Sequence, residues 1–277
     1  MKFPRWSRPL AMLPLLLGLV APLAAADDSR DGGGRTASGT AVDKIGVVVL
    51  HGKWGSPDGH TRGLANHLES NGFLVISPEM PWSGTRSYDK GAAAFVAEID
   101  AAVAELRAKG TMKIAIVGHS QGAVAALRYA TQRPVDGAAL IAAGGHPQND
   151  RFRDNYSSAV AEARALVGQG KADAPVSFND LNGDRNRNLR APAQSVLDYF
   201  DPDGPLNSYV NAARVRPGTA VLLIAPTREA KSLKELSHST YEKLAPAAKS
   251  SQVEIDADHV KAPDAAKMAV TDWLRGL

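Results

Sequence analysis

One serine stands between two glycines in a pattern suited to nucleophilic chemistry. Residues 118–122 read Gly-His-Ser-Gln-Gly, with the apolar run 113–118 leading into them and an alanine-rich segment after them. A tight strand-to-helix turn leaves room only for small residues two positions before and after the serine. The pattern predicts that Ser120 projects from such a turn at the positive end of a helix. His119 is then expected to point away from the site, and the alternative is an ordinary turn.

A serine hydroxyl needs a base within hydrogen-bond reach and an acid that orients the base. His259 follows the last predicted strand, on the same sheet edge as Ser120, and is therefore the candidate base. Glu229, just beyond the fifth predicted strand, is the candidate acid. Asp256 and Asp258 are the alternatives, although neighbours of the base in sequence rarely orient it correctly.

The tetrahedral intermediate of acyl transfer needs backbone N–H donors. The loop 51–54 after the first predicted strand offers the Lys53 amide, with the Trp54 amide as the alternative, and Gln121 supplies the second donor. Trp54 and Trp82 are candidates for an apolar substrate pocket, although such aromatic residues more often pack in a core.

Short β-branched runs alternate with amphipathic segments along the chain. The predicted strands cover 45–50, 72–78, 113–118, 136–143, 219–226 and 251–257. The predicted helices between and after them cover 61–71, 91–110, 121–132, 231–248 and 262–276. This order predicts an α/β fold with a mostly parallel sheet of about six strands, helices on both faces, and ligands at the carboxyl ends of the strands.

The interval 150–216 interrupts the alternation. It contains a helical stretch at 156–170, a polar run at 179–190 without a clear strand, and a more helical segment at 191–213. We predict an insertion over the carboxyl edge of the sheet, which is either a lid or a surface decoration.

The N-terminus has the pattern of a secretory signal peptide over residues 1–26. Lys2, Arg5 and Arg8 precede an apolar core, and three alanines at 24–26 form a small-residue cleavage pattern. The apolar core is short for a membrane anchor, which disfavours that alternative. The prediction is an exported protein, periplasmic or secreted, with no membrane span in the mature chain.

The composition and the absence of certain motifs argue against several classes of partner and cofactor. Removing the three basic residues of the signal peptide leaves 29 residues of each charge, so the charge gives no case for a nucleic-acid partner. The chain has no cysteine, which excludes disulfides, thiolate zinc sites and cysteine nucleophiles. Neither a phosphate-binding loop nor His-x-x-x-His spacing occurs, so no cofactor and no metal are predicted.

Four segments, "HGKWGSPDG", "GHSQG", "LLIAPTRE" and "DADH", resemble the α/β-hydrolase superfamily in their order along the chain. The resemblance implies a hydrolase domain at 45–277, preceded by a flexible lead-in at 27–44. It also implies Ser120 as nucleophile, Glu229 as acid and His259 as base.

The sequence departs from the superfamily at three points. Most relatives carry Asp where Glu229 stands, and Gly where Pro226 stands. The short lead-in implies that two strands of the family's full sheet are missing.

The resemblance implies a serine hydrolase that cleaves a small-molecule carboxylic ester through an acyl-enzyme. Thioesters and amides use the same machinery, so a thioesterase or amidase is an alternative. A hydrolase fold used only for binding is a second alternative of a different class.

Overall fold

The computed structural model describes residues 44–144, 149–244 and 249–277. The predicted signal peptide and all of the lead-in except Lys44 lie outside these residues. Within them, no helix is both long enough and apolar enough to cross a membrane.

The secondary structure follows the predicted alternation closely. The strands are β1 (Ile45–Leu50), β2 (Leu74–Ile76), β3 (Lys113–His119), β4 (Gly137–Ile141), β5 (Pro175–Asn182), β6 (Arg185–Pro192), β7 (Ala220–Pro226) and β8 (Ser250–Ile255). The helices are α1 (Arg62–Ser70), α2 (Ala92–Ala108), α3 (Gln121–Gln132), α4 (Asp150–Gly168), α5 (Ala193–Phe200), α6 (Ser208–Ala212), α7 (Lys231–Lys243), α8 (Ala262–Ala265) and α9 (Lys267–Arg275).

Six strands form one parallel sheet in the order β2-β1-β3-β4-β7-β8, which confirms the predicted fold class. Strand order reverses between β1 and β3, because the chain goes from β1 outward to β2 and then returns to the other side of β1. In open α/β sheets the ligand crevice lies at such a switch point, beyond the carboxyl ends of the strands.

The four central strands of the sheet are buried on both faces, which explains their apolar runs. In β1, Val48 and Leu50 join one apolar core, whereas Val47 and Val49 join the other. Helices α2, α3, α4 and α5 contribute to the first core, and helices α1, α8 and α9 contribute to the second. Successive strand residues point to opposite faces, so a strand covered on both sides must be apolar throughout.

The insertion at 150–216, called the cap below, differs from its prediction in one element. The run at 179–190 is not an irregular polar segment, because β5 and β6 pair as an antiparallel hairpin. Asn182 lies opposite Arg185, which leaves a two-residue turn that begins with Gly183 at φ 63°. Glycine as the first of two turn residues suits a tight hairpin turn, and Gly183-Asp184 is a hairpin dipeptide of this kind.

The inner face of the cap is apolar and aromatic. Tyr156 of α4 stacks on Phe200 of α5, with ring centroids 4.3 Å apart, and Phe178 of β5 packs against both. These rings belong to the same apolar core as Val48 and Leu50 of β1. The cap therefore packs against the same apolar core as the sheet.

The turn from β3 to α3 has no room for side chains at its two glycines. A Cβ on Gly118 would overlap the Gly122 carbonyl group, and a Cβ on Gly122 would overlap the Leu50 carbonyl group. Both obstacles are backbone atoms, which cannot move aside as a flexible side chain can.

We predict that Gly118→Ala lowers the free energy of unfolding by about 3 kcal/mol or more, as overpacking against backbone does. The matched control is Gly168→Ala at the end of α4, where an added Cβ meets no atom within 4 Å. That change is expected to be neutral or stabilising by up to about 1 kcal/mol. Urea unfolding measures both values, and equal effects of the two substitutions would contradict the steric explanation.

Candidate active site

Three polar side chains meet at the carboxyl edge of the sheet. Ser120 follows β3, Glu229 follows β7 and His259 follows β8. The Nε2 atom of His259 lies 3.0 Å from the Ser120 Oγ atom, and its Nδ1 atom lies 2.5 Å from the Glu229 Oε2 atom. Each imidazole nitrogen therefore has one partner, in the arrangement of a nucleophile, base and orienting acid.

The backbone at Ser120 is strained. Its φ of 54° and ψ of −116° lie where residues with a side chain rarely occur. Its amide donates to the Ile141 carbonyl group at 3.0 Å, and its own carbonyl group accepts from the Gly144 amide at 3.1 Å. Contacts of this kind hold a strained residue in place, and such strain is common at active sites.

The Glu229 carboxylate is held by backbone as well as by the base. Its Oε1 atom accepts a hydrogen bond from the Ala230 amide at 3.0 Å. The Arg228 amide donates to the Ala257 carbonyl group at 3.0 Å, which ties the loop after β7 to the loop that carries His259. These contacts accommodate a side chain one methylene longer than aspartate.

The two alternative acids are engaged elsewhere. Asp256 is ion-paired with the Arg228 guanidinium group on the surface. Asp258 accepts a hydrogen bond from the Lys261 amide at 2.9 Å. Of these three carboxylates, only Glu229 lies within hydrogen-bond distance of the His259 ring.

His119 contacts the backbone of His259, although its position in the sequence indicates a ring that points away from the site. Its Nε2 atom lies 2.8 Å from the His259 carbonyl oxygen, and the two ring centroids are 5.1 Å apart. Burial lowers the pKa of His119 to about 3. The ring is therefore neutral near pH 7, and its Nε2–H donates to the carbonyl group and positions the base.

The peptide group between Gly52 and Lys53 is oriented by its carbonyl end. The Gly52 oxygen accepts from the Gly55 amide at 3.0 Å and lies 2.9 Å from the His51 Nδ1 atom. Burial lowers the pKa of His51, and its Nε2 atom accepts from the Met80 amide at 3.1 Å. The proton of this neutral ring is thus on Nδ1, where it donates to the Gly52 oxygen.

In a trans peptide group the N–H points opposite to the C=O. Because the Gly52 oxygen points towards the Gly55 amide and the His51 ring, the Lys53 N–H points away from both. Lys53, Gln121 and Ser120 line the same cavity. The Trp54 amide, the alternative donor, instead donates to the Trp82 carbonyl group at 2.9 Å. The predicted alternative is therefore wrong, because that N–H is already occupied.

The two tryptophans predicted for a substrate pocket both make hydrogen bonds within the protein. Trp82 is fully buried, donates its Nε1–H to the His51 carbonyl group at 2.8 Å and packs edge-on against Phe95. Trp54 donates its Nε1–H to Asp180 of the cap at 2.6 Å. Neither ring lines the cavity at Ser120. Both indole N–H groups instead donate to acceptors elsewhere in the protein.

The cavity above Ser120 has a volume of about 910 Å³. The cap supplies much of its wall, through Phe152, the hairpin turn at 181–185 and Tyr209. Further lining side chains come from the loop after β1 and from α7, and they include His60, Leu233 and Leu236. Over the described ranges, no three His, Asp or Glu residues cluster as a metal site would require.

Residues 47–269 match the alpha/beta hydrolase family, and the chain belongs to this family. No curated protein sequence matches the chain.

Solved structures share the fold, among them two of lipolytic enzymes. A monoacylglycerol lipase from Paleococcus ferrophilus is similar at 22% identity and a TM-score of 0.58, over 83% of this chain and 94% of that one. One of the metagenome-derived lipolytic enzymes LipS and LipT is similar at 19% identity and a TM-score of 0.57, over 85% and 95%. Est1E from Butyrivibrio proteoclasticus, solved with ferulic acid, is similar at 14% identity and a TM-score of 0.56, over 86% and 90%.

The buried His119 predicts a pH dependence of stability. Its pKa is about 3 in the folded chain against 6.5 as the ordinary value. Between pH 6.5 and pH 3, His119 is protonated in the unfolded chain but neutral in the folded chain. The free energy of unfolding therefore decreases as the pH falls through this range. Between pH 7.5 and 4.5, wild type should lose about 3 kcal/mol more than His119→Gln, which keeps an N–H donor but does not titrate.

Urea unfolding at several pH values measures this difference. The control is His238→Gln on α7, where the side chain is 68% exposed. The control should follow the wild-type pH dependence. An equal pH dependence of wild type and His119→Gln would contradict the burial of a neutral ring at this position.

Proposed function

We propose that the chain is a serine hydrolase that cleaves a carboxylic ester through an acyl-enzyme intermediate. The observation that carries the proposal is the bridging position of His259, 3.0 Å from the Ser120 hydroxyl and 2.5 Å from the Glu229 carboxylate. Family membership supports hydrolase activity in general. Ester specificity and the roles of the three residues are part of the proposal.

The geometry supports the following steps. His259 Nε2 takes the Ser120 proton while Oγ attacks the ester carbonyl carbon, and the oxyanion accepts from the Lys53 and Gln121 amides. The imidazolium, stabilised by Glu229, gives that proton to the leaving ester oxygen as the tetrahedral intermediate collapses, the ester C–O bond breaks and the alcohol leaves the acyl-enzyme. His259 then deprotonates a water molecule that attacks the acyl-enzyme, and the proton passes to Ser120 Oγ as the carboxylic acid is released.

We include the cap and export in the proposal. Because cap residues and Ser120 line one cavity, the cap serves as a lid that encloses the substrate and excludes bulk water. The pattern at residues 1–26 supports export to the periplasm or out of the cell.

The test uses residues 27–277 with nitrophenyl esters of increasing acyl length and with a fluorophosphonate probe. Wild type should turn over the esters and be labelled, and Ser120→Ala should lose both, with a fall in kcat of about 10⁴-fold or more. The matched control is Ser232→Ala, which changes another serine in the cavity wall. A folded wild type that is neither active nor labelled would favour the binding-protein alternative.

A second prediction separates the acid from its neighbours. Glu229→Gln keeps the shape of the side chain but loses the charge that stabilises the imidazolium, so kcat should fall by about 100-fold or more. Asp256→Asn and Asp258→Asn should each stay within about 3-fold of wild type, since both carboxylates face other partners. A larger loss in Asp256→Asn than in Glu229→Gln would move the acid role to Asp256.

A further inference from the structure

Asp180 of β5 is a fully buried carboxylate with four hydrogen-bond donors. The donors are Lys53 Nζ at 2.8 Å, Trp54 Nε1 at 2.6 Å, Tyr88 OH at 2.8 Å and Tyr156 OH at 2.5 Å. A buried charge is tolerated only when it is paired and its lone pairs are satisfied, as they are here. Two of the donors belong to the loop after β1, so a cap residue holds the loop that carries the proposed oxyanion donor.

The Lys53 side chain reaches from that loop into the cap. Its ammonium group also donates to the Leu181 carbonyl group at 3.0 Å. It lies 5.4–5.7 Å from the ring centroids of Phe152, Tyr156 and Phe200. All of these partners are in the cap, and together they leave the Lys53 side chain 9% exposed.

The cap also holds the Lys53 backbone. The Asn182 side-chain amide donates to the Lys53 carbonyl group at 3.1 Å, and the Trp54 amide of the same peptide group donates to Trp82. The preceding peptide group is anchored through the Gly52 oxygen. Because hydrogen bonds hold the peptide groups before and after the Lys53 Cα atom, the direction of the Lys53 N–H is fixed.

Backbone strain lies at two of the four donors. Trp54 has a φ of 57° and Tyr88 a φ of 64°, in the left-handed region that bulky side chains rarely adopt. Such conformations persist where surrounding contacts hold them. The bonds to Asp180 are contacts of this kind, and Trp54 shares a peptide group with Lys53.

We propose that Lys53 and Asp180 form a positioning pair through which the cap sets the oxyanion hole. The pair directs the Lys53 amide towards the space beside Ser120, and the hole therefore depends on the packed cap. The inference rests on the proposed function. Neither side chain touches the reacting atoms, so both act on catalysis through the Lys53 backbone.

The test compares Lys53→Met with Lys109→Met in residues 27–277, using the ester and fluorophosphonate assays. Lys53→Met keeps the backbone amide and removes the ammonium group. It should lower kcat by about 10- to 100-fold, a part of the loss seen when an oxyanion donor is deleted, with KM within about 3-fold. Lys109 forms an exposed ion pair with Glu105 on α2, so Lys109→Met should match wild type.

The double variant Lys53→Met with Asp180→Asn separates positioning from folding. It removes both charges, so no unpaired charge stays buried, and its Tm should rise above that of Lys53→Met. If kcat stays low while Tm recovers, the pair positions the amide. If kcat recovers together with Tm, the pair is merely structural and the inference is overturned.

Two further results complete the test. If neither Lys53 variant folds, Asn182→Ala decides, because it removes the bond to the Lys53 carbonyl group and leaves both charges of the buried pair in place. It should lower kcat by about 3- to 10-fold at constant KM, and an unchanged kcat would overturn the inference.

If wild type itself is inactive and unlabelled, the proposed function fails and the inference with it. If wild type is active and folded Lys53→Met keeps the wild-type kcat, only the inference fails.

Discussion

The close passage of β3 into α3 is the constraint on which the rest of the site depends. Backbone atoms lie where side chains at Gly118 and Gly122 would be, so the chain can turn within a few residues. The turn holds Ser120 at φ 54° and ends at the first residue of α3. The hydroxyl, the Gln121 amide and the positive end of the helix thereby face one point, and the strain there is offset by the surrounding sheet.

The parallel sheet brings distant residues to that point. Ser120, Glu229 and His259 each follow a different strand, and parallel strands end at the same edge. Glu229 follows β7 and His259 follows the neighbouring strand β8, and the Arg228–Ala257 hydrogen bond joins the two loops. His119 adds a bond from the nucleophile turn to the His259 carbonyl group, so three loops hold one another.

A buried polar network joins the loop after β1 to the cap through the hydrogen bonds of Lys53 and Trp54 to Asp180. Lys53 extends from the β1 loop into an apolar, aromatic region, where an unpaired ammonium group would be costly. Asp180 supplies the opposite charge and also binds two tyrosines and Trp54. The cap thus provides the counter-charge of Lys53, and cap residues line the cavity above Ser120.

The sequence by itself determined the features that depend on local sterics and periodicity. The β-branched runs predicted the strands of the main sheet, the glycine spacing predicted the turn at Ser120, and chain order singled out His259 and Glu229. The β5–β6 hairpin was missed although Gly183-Asp184 indicates it, because its strands are polar on the outer face. Only the tertiary structure decided which way Trp54 and Trp82 point and what surrounds Lys53. Asp180 is 127 residues from Lys53 in sequence, and the partner of a buried charge is chosen by packing in three dimensions, which no local pattern encodes.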